Sequence, residues 1–322
     1  MNAQESKKLE KTLLEKFKTH LSENDTVVAG ISGGPDSIFL LYLLKKLPIK
    51  IVVAHVNHSL RKESDEEEEF VKKQGQPAVF CSTKRNIAEL ARKSKKGLEE
   101  TGRKIRYDFF KKLAKKHDAK YILTAHHADD NLETIISNFV RGASIRGLSG
   151  MKEKFDNFTP PLLRPLLSVS KNQIVSFLKF NKITFKTDKT NRDTKFKRNF
   201  IRHEVIPVLE KMNPSLTETV TKNATELSEI DKYLTESAQK WLKKNTIAKN
   251  KLDAKSFRQQ NKSVQKTILM ELHEEITGHT LNIGNIHLKE VTDMIEKNIG
   301  NKRKKLGQLI IEVEKNTIRL KN

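Results

Sequence analysis

The feature that most constrains the fold is an alternation, over residues 26–140, of short continuously apolar runs with stretches of helical period. Thr26–Ile31, Ile49–His55, Ala78–Cys81 and Tyr121–Ala125 read as strands. Runs such as Val27-Val28-Ala29 and Ile51-Val52-Val53-Ala54 have no polar face, as expected of parallel strands covered on both sides. Ser37–Leu47, Glu63–Lys73, Asn86–Lys116 (one long or broken helix) and Asp129–Val140 read as the intervening helices. Such a pattern predicts an α/β fold, a doubly wound parallel sheet with right-handed crossovers. Its ligand belongs at the carboxyl ends of the strands.

Leu9, Leu13, Phe17 and Leu21 recur every fourth residue and predict an amphipathic helix before the first strand. After Gly150 the alternation loosens. Pro160, Pro161 and Pro165 punctuate a connector, followed by helices near Lys171–Phe180 and Asn199–Lys211. Asn213-Pro214-Ser215 stops the latter and starts the next. The boundary is placed there, giving domains 1–213 and 214–322. The second is smaller and mainly helical, with helices near Leu216–Leu242, Ala254–Thr277 and Ile286–Lys297. A strand pair is expected near Leu309–Glu312 and Thr317–Leu320. A length of 322 residues suits two domains of ~100–200 residues each.

The 62 basic and 40 acidic side chains leave a net charge of +22, more than solubility requires, which favours a polyanionic partner. Lysines that merely solvate helix faces would add to the same total. No apolar run approaches the ~20 residues of a membrane span. The first residues carry Glu5, Glu10 and Glu15 and do not read as a signal peptide, so a cytoplasmic location is expected. Cys81 is the single cysteine, which excludes an internal disulfide or a cysteine-ligated cluster within one chain. It reads as small core filler.

Five segments carry chemistry. Residues 30–37, Gly-Ile-Ser-Gly-Gly-Pro-Asp-Ser, lie between a strand and a helix. Glycines there let backbone approach an anion, and the following helix start directs free amides and the positive dipole end toward it. Ser32 and Ser37 add hydroxyls, and Asp36 can hold magnesium. No Gly-Lys-Ser/Thr ending follows, so a Walker-type loop is excluded. Residues 54–61 follow the second strand and bring His55 and His58, placed for the adenine and ribose of a nucleotide on that loop. Within residues 97–107, Glu99, Arg103 and Arg106 share a helical face, as either surface pairs or anion and base contacts. Residues 124–134 supply His126, His127, Asp130 and Glu133 at a strand end. Asp130 and Glu133, three apart, can cradle an ammonium, although acidic residues also suit any first helical turn. Residues 187–202, inside a stretch (171–211) of 11 basic and 4 acidic side chains, interleave basic residues with Phe196 and Phe200, which suits phosphates and a stacked base or else a solvated helix with two core phenylalanines.

These segments, with RGASIRGLSGM at residues 141–151 and RPLL at residues 164–167, resemble the tRNA(Ile)-lysidine synthetase family of PP-loop ATP pyrophosphatases. The resemblance runs in family order from about Thr26 to Arg202. It implies an adenine nucleotide hydrolase-like PP-loop domain that uses ATP with Mg2+ to adenylate the first-anticodon-position cytidine of tRNA(Ile). Lysine's amine then displaces AMP to form lysidine. It implies ATP contacts at Ser32, Gly33, Gly34, Pro35, Asp36, Ser37 and His55, with Asp36 as the metal ligand. Arg106 is implied near the target base, Asp130 and Glu133 around lysine, and Lys195, Arg198 and Arg202 on RNA. The implied partners are tRNA(Ile) with a CAU anticodon and free L-lysine, with no membrane and with room for a homodimer. The C-terminal domain is expected to bind tRNA. Two residues depart from the family pattern: Asn131, where Gln is more usual, and Gly102, where Ala is.

The alternatives are a PP-loop tRNA thiolase, a small-molecule PP-loop amidotransferase and a non-catalytic RNA-binding protein on a degenerate nucleotide fold. A lone cysteine opposes the first, the surplus of positive charge the second, and the intact Ser-Gly-Gly-Pro-Asp-Ser loop the third.

Overall fold

A computed structural model describes residues 1–57, 64–95, 97–186, 197–248, 250–278, 283–297, 302–314 and 316–321. Two compact units are defined by contacts: residues 1–133 with 151–218, and residues 134–150 with 219–322.

The first unit contains α1 (Ala3–Lys18), β1 (Thr26–Gly30), α2 (Pro35–Leu44), β2 (Lys50–Asn57), α3 (Ser64–Gly75), β3 (Val79–Lys84), α4 (Ile87–Ser94), α5 (Leu98–Lys116) and β4 (Tyr121–Leu123). Next come α6 (Ala128–Val140), through which the division passes after Glu133, and α7 (Ile145–Leu148), which belongs to the second unit. The first unit resumes with β5 (Lys154–Phe155), β6 (Leu162–Leu163), α8 (Lys171–Phe180), α9 (Lys197–Phe200) and α10 (Ile206–Met212). The sheet order is β3-β2-β1-β4-β6-β5, and every pairing is parallel except β5 with β6.

Alternate residues of the central strands supply two cores, which is why those strands lack a polar face. Val27, Ala29, Ile51 and Val53 pack with Leu13 and Phe17 of α1, Phe39 and Leu40 of α2, and Phe177 of α8. Phe39 and Phe177 meet edge to face at 4.9 Å between ring centroids. Val28, Val52 and Ala54 pack on the opposite side with Phe110, Leu113 and Ala114 of α5. Cys81 pairs with Ala54 and packs at the margin of that second core. Because β1 lies between β2 and β4, the sheet reverses its winding there, which opens a crevice at the carboxyl ends of β1 and β4.

The segment expected as one helix near Asn199–Lys211 is interrupted. A π-helical turn, Ile201–Val205, separates α9 from α10. Pro207 explains it: without an N–H, and with its ring against the carbonyl four residues back, it cannot continue an α-helical ladder.

The second unit adds α11 (Leu216–Asn245) from Thr219 onward, β7 (Thr246–Ala248), β8 (Lys251–Asp253), α12 (Ala254–Arg258), α13 (Lys262–Thr277), α14 (Asn285–Glu296), β9 (Lys302–Leu306), β10 (Leu309–Glu314) and β11 (Thr317–Lys321). It is mainly helical, yet its strands form a five-stranded antiparallel sheet, β7-β8-β11-β10-β9, larger than the expected pair. The additional strands are very short or, in Lys302-Arg303-Lys304-Lys305, show no apolar alternation to read. Gly307, at φ +62°, opens the two-residue turn from β9 to β10, where a left-handed conformation matches the twist of a hairpin.

Candidate active site

From β1 the chain turns through residues 31–34 into α2. Gly30 must lack a side chain, since a Cβ there would stand 2.6 Å from the Phe110 ring. Gly33 has φ +91°, a conformation that L side chains rarely adopt, and a Cβ would meet Val71 at 3.2 Å. Ser37 ties the turn together. Its Oγ accepts from the amides of Ser32 (3.2 Å) and Gly33 (3.1 Å) and donates to the Gly34 carbonyl (2.9 Å). Gly34 caps α2 without a side-chain bond and Pro35 opens the helix, so the amides of the first turn remain available to an anion. Ser32 is exposed beside them.

His55, on β2, is buried, and its Nδ1–H donates to the Ile31 carbonyl at 2.9 Å. That bond fixes the tautomer and leaves Nε2 as an acceptor. His58 and Lys195 lie outside the described residues.

At the end of β4 the charged groups converge. Asp36, in the first turn of α2, holds the Lys171 ammonium at 2.7 Å from each carboxylate oxygen. Lys171 opens α8, and its backbone N–H donates to Asp129 Oδ2 at 2.8 Å. The buried His127 ring lies among three carboxylates: Nε2 is 3.7 Å from Asp36 and 3.4 Å from Asp130, and Nδ1 is 3.3 Å from Asp129. Burial alone would discharge this imidazole, but the surrounding carboxylates, Asp129 and Asp130 foremost, outweigh it and raise its pKa. Burial likewise opposes ionisation of Asp129 and Asp130. His127 overcomes it in both, helped by the Lys171 amide at Asp129 and by Arg198 at Asp130, so both pKa values fall. Neighbouring His126 behaves oppositely. Its Nδ1 lies 2.8 Å from Thr124 Oγ1, and burial pushes its pKa down to about 3, so the ring is neutral.

The sequence suggests separate roles for the acidic pair Asp130 and Glu133 and the basic pair Arg198 and Arg202. The structure joins them. Arg198 donates to Glu133 at 2.6 Å and to Asp130 at 2.7 Å. Arg202, from the π-helical turn, donates to Glu133 at 2.5 Å and approaches Asp130 at 3.5 Å. Glu133 is only 2% exposed. Formal charges cancel when His127 is protonated: Asp36, Asp129, Asp130 and Glu133 then stand against Lys171, His127, Arg198 and Arg202. Asp36 is the one carboxylate in the first turn of the phosphate-loop helix. Among the described residues no group of three or more His, Cys, Asp or Glu is disposed to hold a metal.

Arg106, on α5, has no hydrogen-bond or ion-pair partner among the described residues. Arg103 lies over the Tyr107 ring at 4.8 Å. Arg164 is buried, donates through Nη1 to the Lys152 carbonyl at 2.7 Å and leaves Nε without a partner. Burial lowers its pKa. The two departures from the family pattern have local reasons. Asn131 Oδ1 accepts the Met151 amide at 2.7 Å, and a Cβ at Gly102 would come 3.2 Å from Ile87. Lys171 escapes sequence reasoning, which sees only a helix start. The available signal was its sign: a cation in a first turn opposes the helix dipole and needs a carboxylate to hold it.

A family described as the PP-loop domain matches residues 2–209. Three curated proteins named tRNA(Ile)-lysidine synthase are similar to this chain. The one from Thermosipho africanus is 35% identical over 303 residues, covering 89% of this chain and 67% of its own. The one from Persephonella marina is 39% identical over 243 residues, covering 72% and 52%. The one from Bacillus thuringiensis is 34% identical over 292 residues, covering 86% and 61%. The chain thus spans about half to two thirds of the length of such relatives. Among solved structures, a U34-tRNA thiolase from Methanococcus maripaludis shares the fold, with a TM-score of 0.54, 16% identity, and coverage of 68% of this chain and 79% of its own. No helix among the described residues is long and apolar enough to cross a membrane.

Proposed function

Because the chain belongs to the tRNA(Ile)-lysidine synthase family of PP-loop proteins, we propose that it joins lysine to the first-anticodon-position cytidine of a CAU-bearing tRNA(Ile) in the cytoplasm. The cytidine O2 attacks the α-phosphorus of ATP and pyrophosphate leaves. The amine of free L-lysine then attacks C2, and AMP departs with the oxygen. The supporting observation is the joining of an anion-binding helix start at β1 to a charge-balanced carboxylate cluster at β4, across the sheet's switch point.

Residues 32–37 receive the phosphates, and His55 lies beside them on β2. Polyphosphate draws the Lys171 ammonium from Asp36, and the carboxylate so released can hold Mg2+. A single carboxylate suits an ion that takes its other ligands from phosphate and water. The negative charge that ATP brings also favours one more cation, the lysine ammonium, which would reach Asp130 and Glu133 by displacing part of their pairing with Arg198 and Arg202. We assign to the base being adenylated the neutral His126 and Arg106, which has no hydrogen-bond or ion-pair partner among the described residues. Arg198 and Arg202 keep about a third of their side chains exposed while paired, 32% and 34%, which suits them to contact RNA at the edge of this site. Residues 1–213 carry the chemistry and residues 214–322 bind tRNA.

The test is AMP formation from ATP with tRNA(Ile), with lysine, with both and with neither, followed by nucleoside mass spectrometry. AMP should require tRNA, and lysidine should require lysine as well. AMP formed without tRNA, or no lysidine with both substrates, refutes the proposal. Thiolation is disfavoured because Cys81 lies within β3, paired with Ala54, and has no second cysteine for a relay.

A further inference from the structure

The Arg-Pro-Leu-Leu motif at residues 164–167 takes no part in the reaction described above, yet its arginine is buried, 6% exposed. Arg164 directly follows β6. Its amide donates to the Glu153 carbonyl at 2.8 Å, and the Thr124 amide donates to the Leu163 carbonyl at 3.1 Å, so sheet pairing continues past β4 and β6. Ile122 and Leu162 pair across those strands and share a core with Phe110 of α5. Period-two alternation then carries Thr124 and Arg164 to the α5 side of the sheet's ligand edge. Thr124 Oγ1 lies 2.8 Å from the His126 ring. Tyr107 and Arg103 of α5 act electrostatically on the Arg164 guanidinium, and Arg164 and Arg103 both act on His126.

A guanidinium stays charged at neutral pH, and burying one without a counter-charge is unfavourable unless an anion completes the site. Arg164 donates to the Lys152 carbonyl, its Nε has no partner, and no carboxylate pairs with it among the described residues. Its neighbours add positive charge. Arg103 lies on the Tyr107 ring, a contact that leaves its charge intact, and Arg106 is unpaired among the described residues. Glu99 is the acid that shares the helical face of these two arginines.

We propose that Arg164 and Arg103 bind a phosphodiester of the RNA strand immediately beside the cytidine being adenylated; it rests on the tRNA substrate proposed above. A planar guanidinium matches the geometry of a phosphate. Three arginines facing one glutamate leave more positive charge than a single carboxylate, such as that of lysine, would neutralise, whereas RNA carries a phosphate on either side of each base. Arg103 is exposed and Arg164 buried, so the site has an open rim and a closed floor. The phosphates of ATP belong elsewhere. Their loop follows β1, two strand spacings or ~10 Å from β6, and leads into α2, which packs on the other side of the sheet. A phosphate held beside the base restrains the cytidine's orientation and reads no sequence.

The test pairs a change in the protein with a change in the RNA. Arg164→Gln, Arg164→Lys and Arg103→Gln are compared with the parent for binding to tRNA(Ile) in which either phosphate flanking the first anticodon nucleotide is an uncharged methylphosphonate. In the parent, one of these replacements should weaken binding about tenfold, as loss of a charge-assisted bond does. Arg164→Gln and Arg103→Gln should weaken binding of the unmodified RNA comparably and lose nothing further from that methylphosphonate, and Arg164→Lys should recover part of the loss. A merely structural role would not make the effect depend on one phosphate. Arg103 is exposed, so Arg103→Gln decides the matter if circular dichroism shows Arg164→Gln unfolded. Equal methylphosphonate effects in parent and variants overturn the proposal, as does the absence of any effect in the parent. Weaker ATP binding by Arg164→Gln without RNA overturns it in favour of the nucleotide. Lost discrimination between lysine and its methyl ester overturns it in favour of the lysine carboxylate. If the parent shows the expected coupling but forms no AMP, the contact stands and the proposed reaction fails.

Discussion

Replacing Glu133 with Gln tests the carboxylate cluster most directly. Glu133 is almost fully buried and accepts from Nε of both Arg198 and Arg202, at 2.6 and 2.5 Å. Charge-assisted bonds contribute ~1.5–3 kcal/mol each, against ~0.5–1.5 for neutral ones. Glutamine keeps one acceptor oxygen but turns an NH2 toward the second guanidinium, so one bond weakens and the other is lost. The gross cost is ~2–4 kcal/mol. Both arginines are about one third exposed and can recover water, which brings the expected loss to ~2 kcal/mol. Hydrogen exchange of peptides covering α6 and α9–α10 should then quicken by about thirtyfold, since each ~1.4 kcal/mol is a factor of ten. In the same variant the lysine concentration needed for lysidine formation should rise while tRNA adenylation persists. Parent-like exchange together with parent-like lysine dependence would refute both the energetic argument and the role assigned to Glu133.

Asp36→Ala should abolish AMP formation without unfolding the chain, as followed by nucleotide turnover and circular dichroism; near-parent turnover would sink the pyrophosphatase chemistry. Arg146, on α7, donates to Glu271 at 2.6 Å, Thr235 at 2.8 Å, Asp231 at 3.2 Å and Glu274 at 3.3 Å. Arg146→Met leaves that largely buried acidic group without its cation and should cost ~3–5 kcal/mol, read from the single tryptophan, Trp241, in urea unfolding; a loss under ~1 kcal/mol would contradict it. The two histidines should give opposite pH signatures. His127, with a raised folded pKa, contributes stability that is complete below ~6.5 and is lost as pH rises through its folded value, and His127→Gln should remove that loss. His126, held near 3, contributes above ~6.5 and loses its contribution as pH falls from there toward 3, so His126→Gln should flatten the acid side of the stability profile.

The parallel sheet was legible in the sequence because its evidence is local. Strands buried on both faces must be apolar throughout, and helices between them must repeat every 3.6 residues. The phosphate loop was legible for a similar reason: Gly33 at positive φ, Ser37 closing the turn and Pro35 opening α2 act within a few residues of one another. The π-helical turn before Pro207 was not foreseen, although the proline that causes it stood in view. Nor was the five-stranded C-terminal sheet, because Lys302-Arg303-Lys304-Lys305 forms a strand through its pairing with β10 and not through any alternation of its own. Tertiary structure alone decided how the charges pair. Lys171 reaches Asp36 across 135 residues, and Arg198 and Arg202 reach Asp130 and Glu133 across 65 to 72. Spacing along a helix can show that two like charges share an edge. It carries no information about which opposite charges the fold brings to that edge, because an ion pair is set by distance in space and by the burial that removes competing water.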